Sequence, residues 1–355
     1  MGNIRSSRQA MRCLVLAAAL AGCGQAAVAA PAPHGAFARS PAYPTVAGPA
    51  VPVGDDSVSV LPRGVVAFPV IRGLLEHARQ RIDLEMYELA RADLVGALIG
   101  AHRRGVAVTV IVDASVVVTA AAAAQLRGDG VDVIDYPVRK MMIDHVKLLV
   151  VDGDVAVVGG INWGTGSAAN HDFDALVRGP AAANLEDVFL GDLVTCGREV
   201  VAPPQRSDAA ILVATTLPGT AIRPLAMQLI EEARQSIDLE LYVLTDAGIV
   251  HAVERAQRRG VAVRVLLDPD QRPSDPSAAE LRAAGVDLRV YHGGGEKLHA
   301  KVGVADGRRV LMGSANWTRS GFERNHELDI EVLDSAVVAG AFEAAMAADW
   351  AASAS

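Results

Sequence analysis

Two short segments hold the residues best suited to chemistry. His145-Val146-Lys147 and His299-Ala300-Lys301 each set an imidazole and an ammonium two positions apart, and an aspartate follows at Asp152 and Asp306. Beyond each aspartate comes a small-residue turn that carries an amide: Gly159-Gly160-Ile161-Asn162 and Gly313-Ser314-Ala315-Asn316. Residues i and i+2 of a strand share a face, so each His and its Lys point the same way. An imidazole titrates near neutrality and can attack or carry a proton. Ammonium and amide donors can hold an oxyanion. That combination suits a phosphodiester, whose anionic oxygens repel nucleophiles until positive charge is placed on them. The chemical rival is a metal site, since His and Asp are ligands. A lysine on each His face disfavours a cation there, and neither metal nor cofactor is expected.

The duplication extends well beyond these segments. Glu76-His-Ala-Arg-Gln-Arg-Ile-Asp-Leu-Glu-Met-Tyr87 parallels Glu231-Glu-Ala-Arg-Gln-Ser-Ile-Asp-Leu-Glu-Leu-Tyr242, and Arg104-Gly-Val-Ala-Val108 parallels Arg259-Gly-Val-Ala-Val263. A period this long means duplicated domains rather than a solenoid. The paired His-x-Lys-x4-Asp motifs, with their Asn turns, resemble those of the phospholipase D superfamily. The resemblance covers roughly residues 65–350.

Several expectations follow from that resemblance. The fold would be α/β, two tandem similar sandwich domains related by a pseudo-two-fold axis, with both motifs in one site. One imidazole would attack phosphorus to form a phosphohistidine while the other protonates the leaving alkoxide. By the family's habit His145 is the nucleophile and His299 the acid/base, although the sequence itself does not break the symmetry. Lys147, Lys301, Asn162 and Asn316 would hold the non-bridging oxygens, helped by Gly160 and Ser314. Asp152 and Asp306 complete the catalytic motifs, as braces rather than substrate contacts. Asp172 and Glu327 fall where the family places the acid that orients each imidazole, with Asp174 as a substitute for Asp172. Glu85 and Glu240, at matched positions, read equally as buried braces or functional groups, and His171 and His326 as structural or rim residues.

The elements that must position these groups alternate between helix and strand. Helical apolar spacing covers 71–81 and 224–235, strands follow at 82–87 and 237–242, further helices run over 93–103 and 247–258, and buried strands cover 106–112 and 261–267. The motifs fall on hairpins turned by Asp152-Gly153 and Asp306-Gly307, read as two-residue turns. Residues 268–276 read as an exposed loop. The expected domains are 61–200 and 222–355, joined by a Pro-containing connection over 201–221.

The first 22 residues read as a signal peptide, with Arg5, Arg8 and Arg12 ahead of a short apolar stretch. Leu20-Ala21-Gly22-Cys23 resembles a lipobox, in which Cys23 would carry lipid; plain secretion is the alternative. Residues 23–60, rich in Ala, Pro and Gly, read as a flexible tether. These features imply a bacterial envelope location. With Cys13 and Cys23 so used, Cys196 has no disulfide partner among the three cysteines.

Net charge is −8, which disfavours a nonspecific polyanion binder. Four lysines stand against 29 arginines, and all four, Lys140, Lys147, Lys297 and Lys301, lie in or beside a motif. The expected function is therefore hydrolysis or transfer of phospholipid head groups by a membrane-tethered monomer. The alternatives are an extracytoplasmic nuclease, a phosphatidyltransferase resembling cardiolipin synthases, and a non-catalytic binder of phosphorylated ligands.

Overall fold

Apolar strand segments separated by Gly- and Asp-bearing turns fold into two copies of one pattern in the computed structural model, which describes residues 48–200, 210–217, 219–292 and 296–353. The first copy begins with β1 (Val51–Val53), β2 (Asp56–Pro62), α1 (Gly64–His77), β3 (Arg81–Met86), α2 (Ala92–Arg103) and β4 (Ala107–Val112). It continues through α3 (Val117–Gly128), β5 (Asp132–Asp135), β6 (Lys147–Val151), β7 (Val155–Gly159), β8 (Phe173–Arg178) and α4 (Pro180–Thr195). The second copy opens with β9 (Ile211–Thr215), α5 (Ile222–Glu232), β10 (Ser236–Leu241), α6 (Ala247–Arg258), β11 (Ala262–Leu267) and α7 (Asp275–Ala283). It closes with β12 (Asp287–Val290), β13 (Lys301–Ala305), β14 (Arg309–Gly313), α8 (Arg319–Glu323), β15 (Leu328–Val332) and α9 (Ala336–Ala352).

The sheets are mixed and share one order. The first runs β1-β2-β8-β7-β6-β3-β4-β5 and the second β12-β11-β10-β13-β14-β15-β9, the same sequence of elements read in reverse and lacking only a partner for β1. β3, β4 and β5 pair in parallel, as do β10, β11 and β12, while the motif hairpins pair antiparallel. A strand buried on both faces reads as an unbroken apolar run, which is why Leu148-Leu-Val-Val151 shows no alternation. One face of each sheet packs on its own helices, α1 to α3 or α5 to α7. The inner faces share a single core: Leu148, Val150, Ala156 and Val158 join Val302, Val304, Val310 and Met312, together with Phe189 of α4 and Phe342 of α9.

Four expectations need correction. The tether placed over 23–60 includes β1 and β2, which pair with each other and with β8. Composition averaged over that stretch hides Val51, Val53, Val58 and Val60, which are buried. The connection placed over 201–221 includes β9, an edge strand on β15. The hairpin turns hold three residues, not two, since Val151 faces Val155 and Ala305 faces Arg309. Asp152 and Gly153 have φ of 53° and 77°, and Asp306 and Gly307 52° and 60°, left-handed values open to Gly and tolerated by Asp. The loop read over 268–276 is also shorter than expected, because α7 starts at Asp275. The signal segment and Cys23 lie outside the described residues. Among those residues, no helix is long and apolar enough to cross a membrane.

Candidate active site

Each motif histidine lies two residues before the start of its strand, and its backbone is stitched to the other copy. His145 N–H donates to His326 O at 2.8 Å and His326 N–H to Ile143 O at 2.8 Å. In the mirror arrangement, His299 N–H donates to His171 O at 2.6 Å and His171 N–H to Lys297 O at 2.7 Å. The residue after each of these partners is the carboxylate of the site. The motifs of the two copies are thereby drawn to one seam.

The orienting carboxylates work across that seam. His145 Nδ1 lies 2.8 Å from Glu327 Oε2, and His299 Nδ1 lies 2.6 Å from Asp172 Oδ2. Burial opposes ionisation of both acids, but His145 and Lys147 hold Glu327 below its ordinary pKa, and Lys301 and His299 do so for Asp172. An ionised carboxylate only accepts, so each Nδ1 carries the proton and each Nε2 is left for chemistry. Burial, aided by the neighbouring ammoniums, pushes His145 down and His299 down to about 3. Both rings are therefore neutral in the free protein near pH 7.

The lysines stay within the site. Lys147 Nζ donates to His145 O at 2.6 Å, and Lys301 donates to His299 O while standing 3.7 Å from Asp172 Oδ2. Lys301 Nζ is also 2.7 Å from His299 Nδ1, a nitrogen whose proton Asp172 already takes. That contact sets ammonium against imidazole and disfavours an imidazolium. Burial lowers Lys147 to about 7 and Lys301 to about 8. Asn162 and Asn316 follow the returning strands, and their amide oxygens are buried without a hydrogen-bond partner.

Other expected site residues have different work. Asp152 accepts the backbone N–H groups of Arg79, Gln80 and Arg81, and Asp306 those of Arg234, Gln235 and Ser236. Both sit at the hairpin end away from the histidines and tie the motif turn to the start of β3 or β10. Both hold the turn as braces rather than as substrate contacts. Gly160 and Ser314 also leave the phosphate-binding set, because both house a carboxylate. Gly160 N–H donates to Phe173 O at 2.9 Å, and a Cβ there would collide with Asp172 Oδ1. Ser314 Oγ donates to Glu327 Oε2 at 2.6 Å, and Asn325 Nδ2 donates to Glu327 Oε1 at 3.0 Å. Asp174 does not substitute for Asp172; its Oδ1 accepts the Ile161 N–H.

Two aromatic residues were not singled out from the sequence. Tyr87 meets His145 edge-on at 4.8 Å and Tyr242 meets His299 at 4.7 Å, with the lysine ammoniums 5.2 and 5.5 Å from the same rings. Their identical place at the end of the repeated Ile-Asp-Leu-Glu segment was the available signal. Cys196 is half-buried and its thiol is pushed up to about 11, chiefly by burial, so it is inert.

A tandem α/β fold with two His–Lys sets facing one seam defines a phosphodiester-handling class of protein, and the comparisons specify it. The family described as "Cardiolipin synthase, PLD-like domain" matches residues 71–193 and 226–350. The chain belongs to that phospholipase D-like family. It is 30% identical over 312 residues to the cardiolipin synthase of Geobacillus kaustophilus, a match covering 76% of this chain and 62% of the relative. It is 28% identical over 316 residues to cardiolipin synthase 2 of Bacillus cereus, covering 78% of this chain and 61% of that protein. The chain thus spans about three-fifths of the length of these relatives. Among solved structures, the phosphatidylserine synthase of Haemophilus influenzae superposes with a TM-score of 0.59 at 12% identity, covering 83% of this chain and 86% of that one, a likeness of fold.

Proposed function

We propose that this protein is a phosphatidyltransferase of the cardiolipin synthase kind, moving a phosphatidyl group from one phospholipid to the hydroxyl of a second. The observation that carries the reaction class is the pair of neutral imidazoles, each oriented by a carboxylate from the other copy and flanked by an ammonium. The relatives' names favour transfer over the hydrolysis that the sequence first suggested. Lipid is also favoured by a groove whose lining mixes Arg139, Lys140 and Arg324 with Met141, Met142, Leu217 and Glu323. Basic and apolar side chains in one wall suit a phosphate carrying acyl chains.

In the proposed mechanism His145 Nε2 attacks phosphorus, so that a P–N bond forms as the P–O bond to the leaving alcohol breaks. His299 Nε2–H gives its proton to that oxygen. The acceptor alcohol then passes its proton to His299 and attacks phosphorus, which releases His145. Lys147 and Lys301 neutralise the non-bridging oxygens throughout, and the Asn162 and Asn316 amides donate hydrogen bonds to them. Because His299 is neutral in the free site, the anionic diester must raise its pKa on binding.

Full-length protein incubated with phosphatidylglycerol vesicles tests the reading. Cardiolipin plus glycerol is expected; phosphatidic acid as the sole lipid product would establish hydrolysis instead. We further propose a monomer anchored through Cys23 in the cell envelope, motivated by two motifs in one chain and by Leu20-Ala21-Gly22-Cys23. Radiolabelled palmitate should enter the wild type and not Cys23→Ala, and light scattering should give the mass of one chain.

A further inference from the structure

The two histidines that precede the site carboxylates, His171 and His326, take no part in the chemistry above. Each points across the seam into a buried cluster of acids. His171 Nε2 is 2.9 Å from Glu240 Oε1 and 2.8 Å from Asp349 Oδ2, with Tyr291 stacked on the ring at 5.7 Å. His326 Nε2 is 2.9 Å from Asp192 Oδ2 and 3.6 Å from Glu85 Oε1, with Tyr136 stacked at 4.9 Å. Asp144 adds a carboxylate to this second group; ligand atoms of Glu85, Asp144 and His326 lie within 4.8 Å of one another, as do those of His171, Glu240 and Asp349 in the first.

The clusters are copies of one design with a difference in charge. Pro62 faces Phe173 and Thr215 faces Leu328, so Arg63 and Thr216 occupy equivalent places. Around His171 the guanidinium of Arg63 supplies positive charge: its Nε–H donates to His171 Nδ1 at 2.9 Å, and it reaches Asp349 at 3.5 Å. Around His326 that place holds Thr216, whose hydroxyl donates to Asn325 O at 2.5 Å. Asp144, moreover, stands where the other copy has Leu298. Arg63 also pairs with Glu296 at 3.2 Å, so each cluster counts three carboxylates and the His326 cluster lacks only the guanidinium, a deficit of one positive charge.

Burial makes that deficit costly. Glu85, Asp144 and His326 are 0% exposed and Asp192 3%. Both Glu85 oxygens, Asp144 Oδ2 and His326 Nδ1 lack hydrogen-bond partners, as do both Glu240 oxygens in the other cluster, while His326 Nε2 is paired with Asp192 Oδ2 at 2.9 Å. Unpaired buried charge is strongly unfavourable unless something neutralises it. Donors around one ion at bonds of about 2.1 Å lie about 3.4 Å apart in a tetrahedron. The separations about His326 Nε2 bracket that value. A metal on Nε2 requires the ring proton on Nδ1. His326 Nδ1 has no other occupant, whereas Arg63 closes the same nitrogen of His171.

We propose that Glu85, Asp144 and His326, with Asp192 beside the imidazole, bind one divalent transition-metal ion of the zinc or manganese class, a structural ion that clamps the two copies behind the site. Mixed imidazole and carboxylate donors suit either metal. The ion takes no part in phosphoryl chemistry. It fixes His326, and with it the backbone that holds His145 and Glu327.

The test is metal analysis of full-length protein by plasma mass spectrometry after exhaustive dialysis. About one equivalent of zinc or manganese per chain is expected. Glu240→Gln, in the other cluster, should retain it. Glu85→Gln and Asp144→Leu should lower the content at least about tenfold. If those variants fail to fold, wild-type protein unfolded with chelator and refolded should take up one equivalent of Zn²⁺ or Mn²⁺ with a rise in Tm. No metal in the purified protein and no uptake on refolding would overturn the proposal and leave shared protons as the balance. Equal loss of metal in Glu240→Gln would overturn the assigned ligands.

Discussion

His145 donates its Nδ1–H in a hydrogen bond to Glu327, a residue 182 positions away in the other copy of the repeat. His299 and Asp172 form the reciprocal pair. Neither copy holds its own imidazole in register. Glu327→Gln should therefore lower kcat by about 10²-fold or more while leaving KM nearly unchanged, because the wrong tautomer of His145 is no longer excluded. His145→Ala and His299→Ala should each abolish transfer. Unaltered kcat in Glu327→Gln, measured with saturating phosphatidylglycerol, would remove the carboxylate from the mechanism.

The two carboxylate housings are matched pairs. Gly160 accompanies the short Asp172, and Ser314 accompanies the longer Glu327 and hydrogen-bonds it. Gly160→Ser alone should displace Asp172 and cost at least about tenfold in kcat. Adding Asp172→Glu, which reproduces the second copy's pair, should recover much of the loss. A double variant no better than the single one would show that the pairing is incidental.

Substrate binding should take up a proton. His299 is held down to about 3 by burial and by Lys301, and an anionic phosphodiester offsets that ammonium. A pKa that rises through the working pH on binding draws a proton from buffer. Calorimetric titration near pH 7 with a slowly reacting phosphodiester, in buffers of different ionisation enthalpy, should show net uptake. Net release would contradict the assigned resting state.

The lysines give stability a definite slope with pH. Their folded values, about 7 for Lys147 and about 8 for Lys301, lie below the ordinary 10.5. Between those limits the unfolded chain binds more protons, so their contribution to stability is fully present above 10.5 and is lost as pH falls through 8 and 7. Thermal melts from pH 7 to 10 should be flatter for Lys147→Met with Lys301→Met than for wild type. Parallel curves would show that both ammoniums are solvated.

Asp306→Ala should act on folding rather than on chemistry. It strips the acceptor from three backbone N–H groups, at a cost of about 1–3 kcal/mol. Tm should fall while kcat per folded molecule stays near wild type. A large loss of kcat with Tm unchanged would return Asp306 to the site.

The duplicated motifs, the α/β alternation and most strands were legible because they depend on local order: a two-residue period, an Arg-Gly helix end, a repeated Ile-Asp-Leu-Glu. What escaped depends on the pairing of distant segments. β2, between β1 and β8, and the edge strand β9 sit in Pro-bearing surroundings, and their identity comes from pairing with β8 and β15. Ser314 looked like a phosphate ligand because its hydroxyl lies in the motif turn, yet Glu327 takes its proton. The exchange of carboxylates between copies has no trace along the chain, since Asp172 and Glu327 stand at similar distances from their own motifs. His171 and His326 looked peripheral because their acids come from helices α4 and α9 and from strands β3 and β10.

The cross-stitched backbone between 143–145 and 326, and between 297–299 and 171, makes the seam a single point of failure. A small rotation of one sheet against the other breaks both histidine–carboxylate pairs together, while each sheet keeps its own hydrogen bonds. On warming, catalytic competence is then lost in one step and ahead of the far-ultraviolet signal. Survival of the enzyme under stress is governed by how tightly two intact halves stay in register rather than by how well either half is folded.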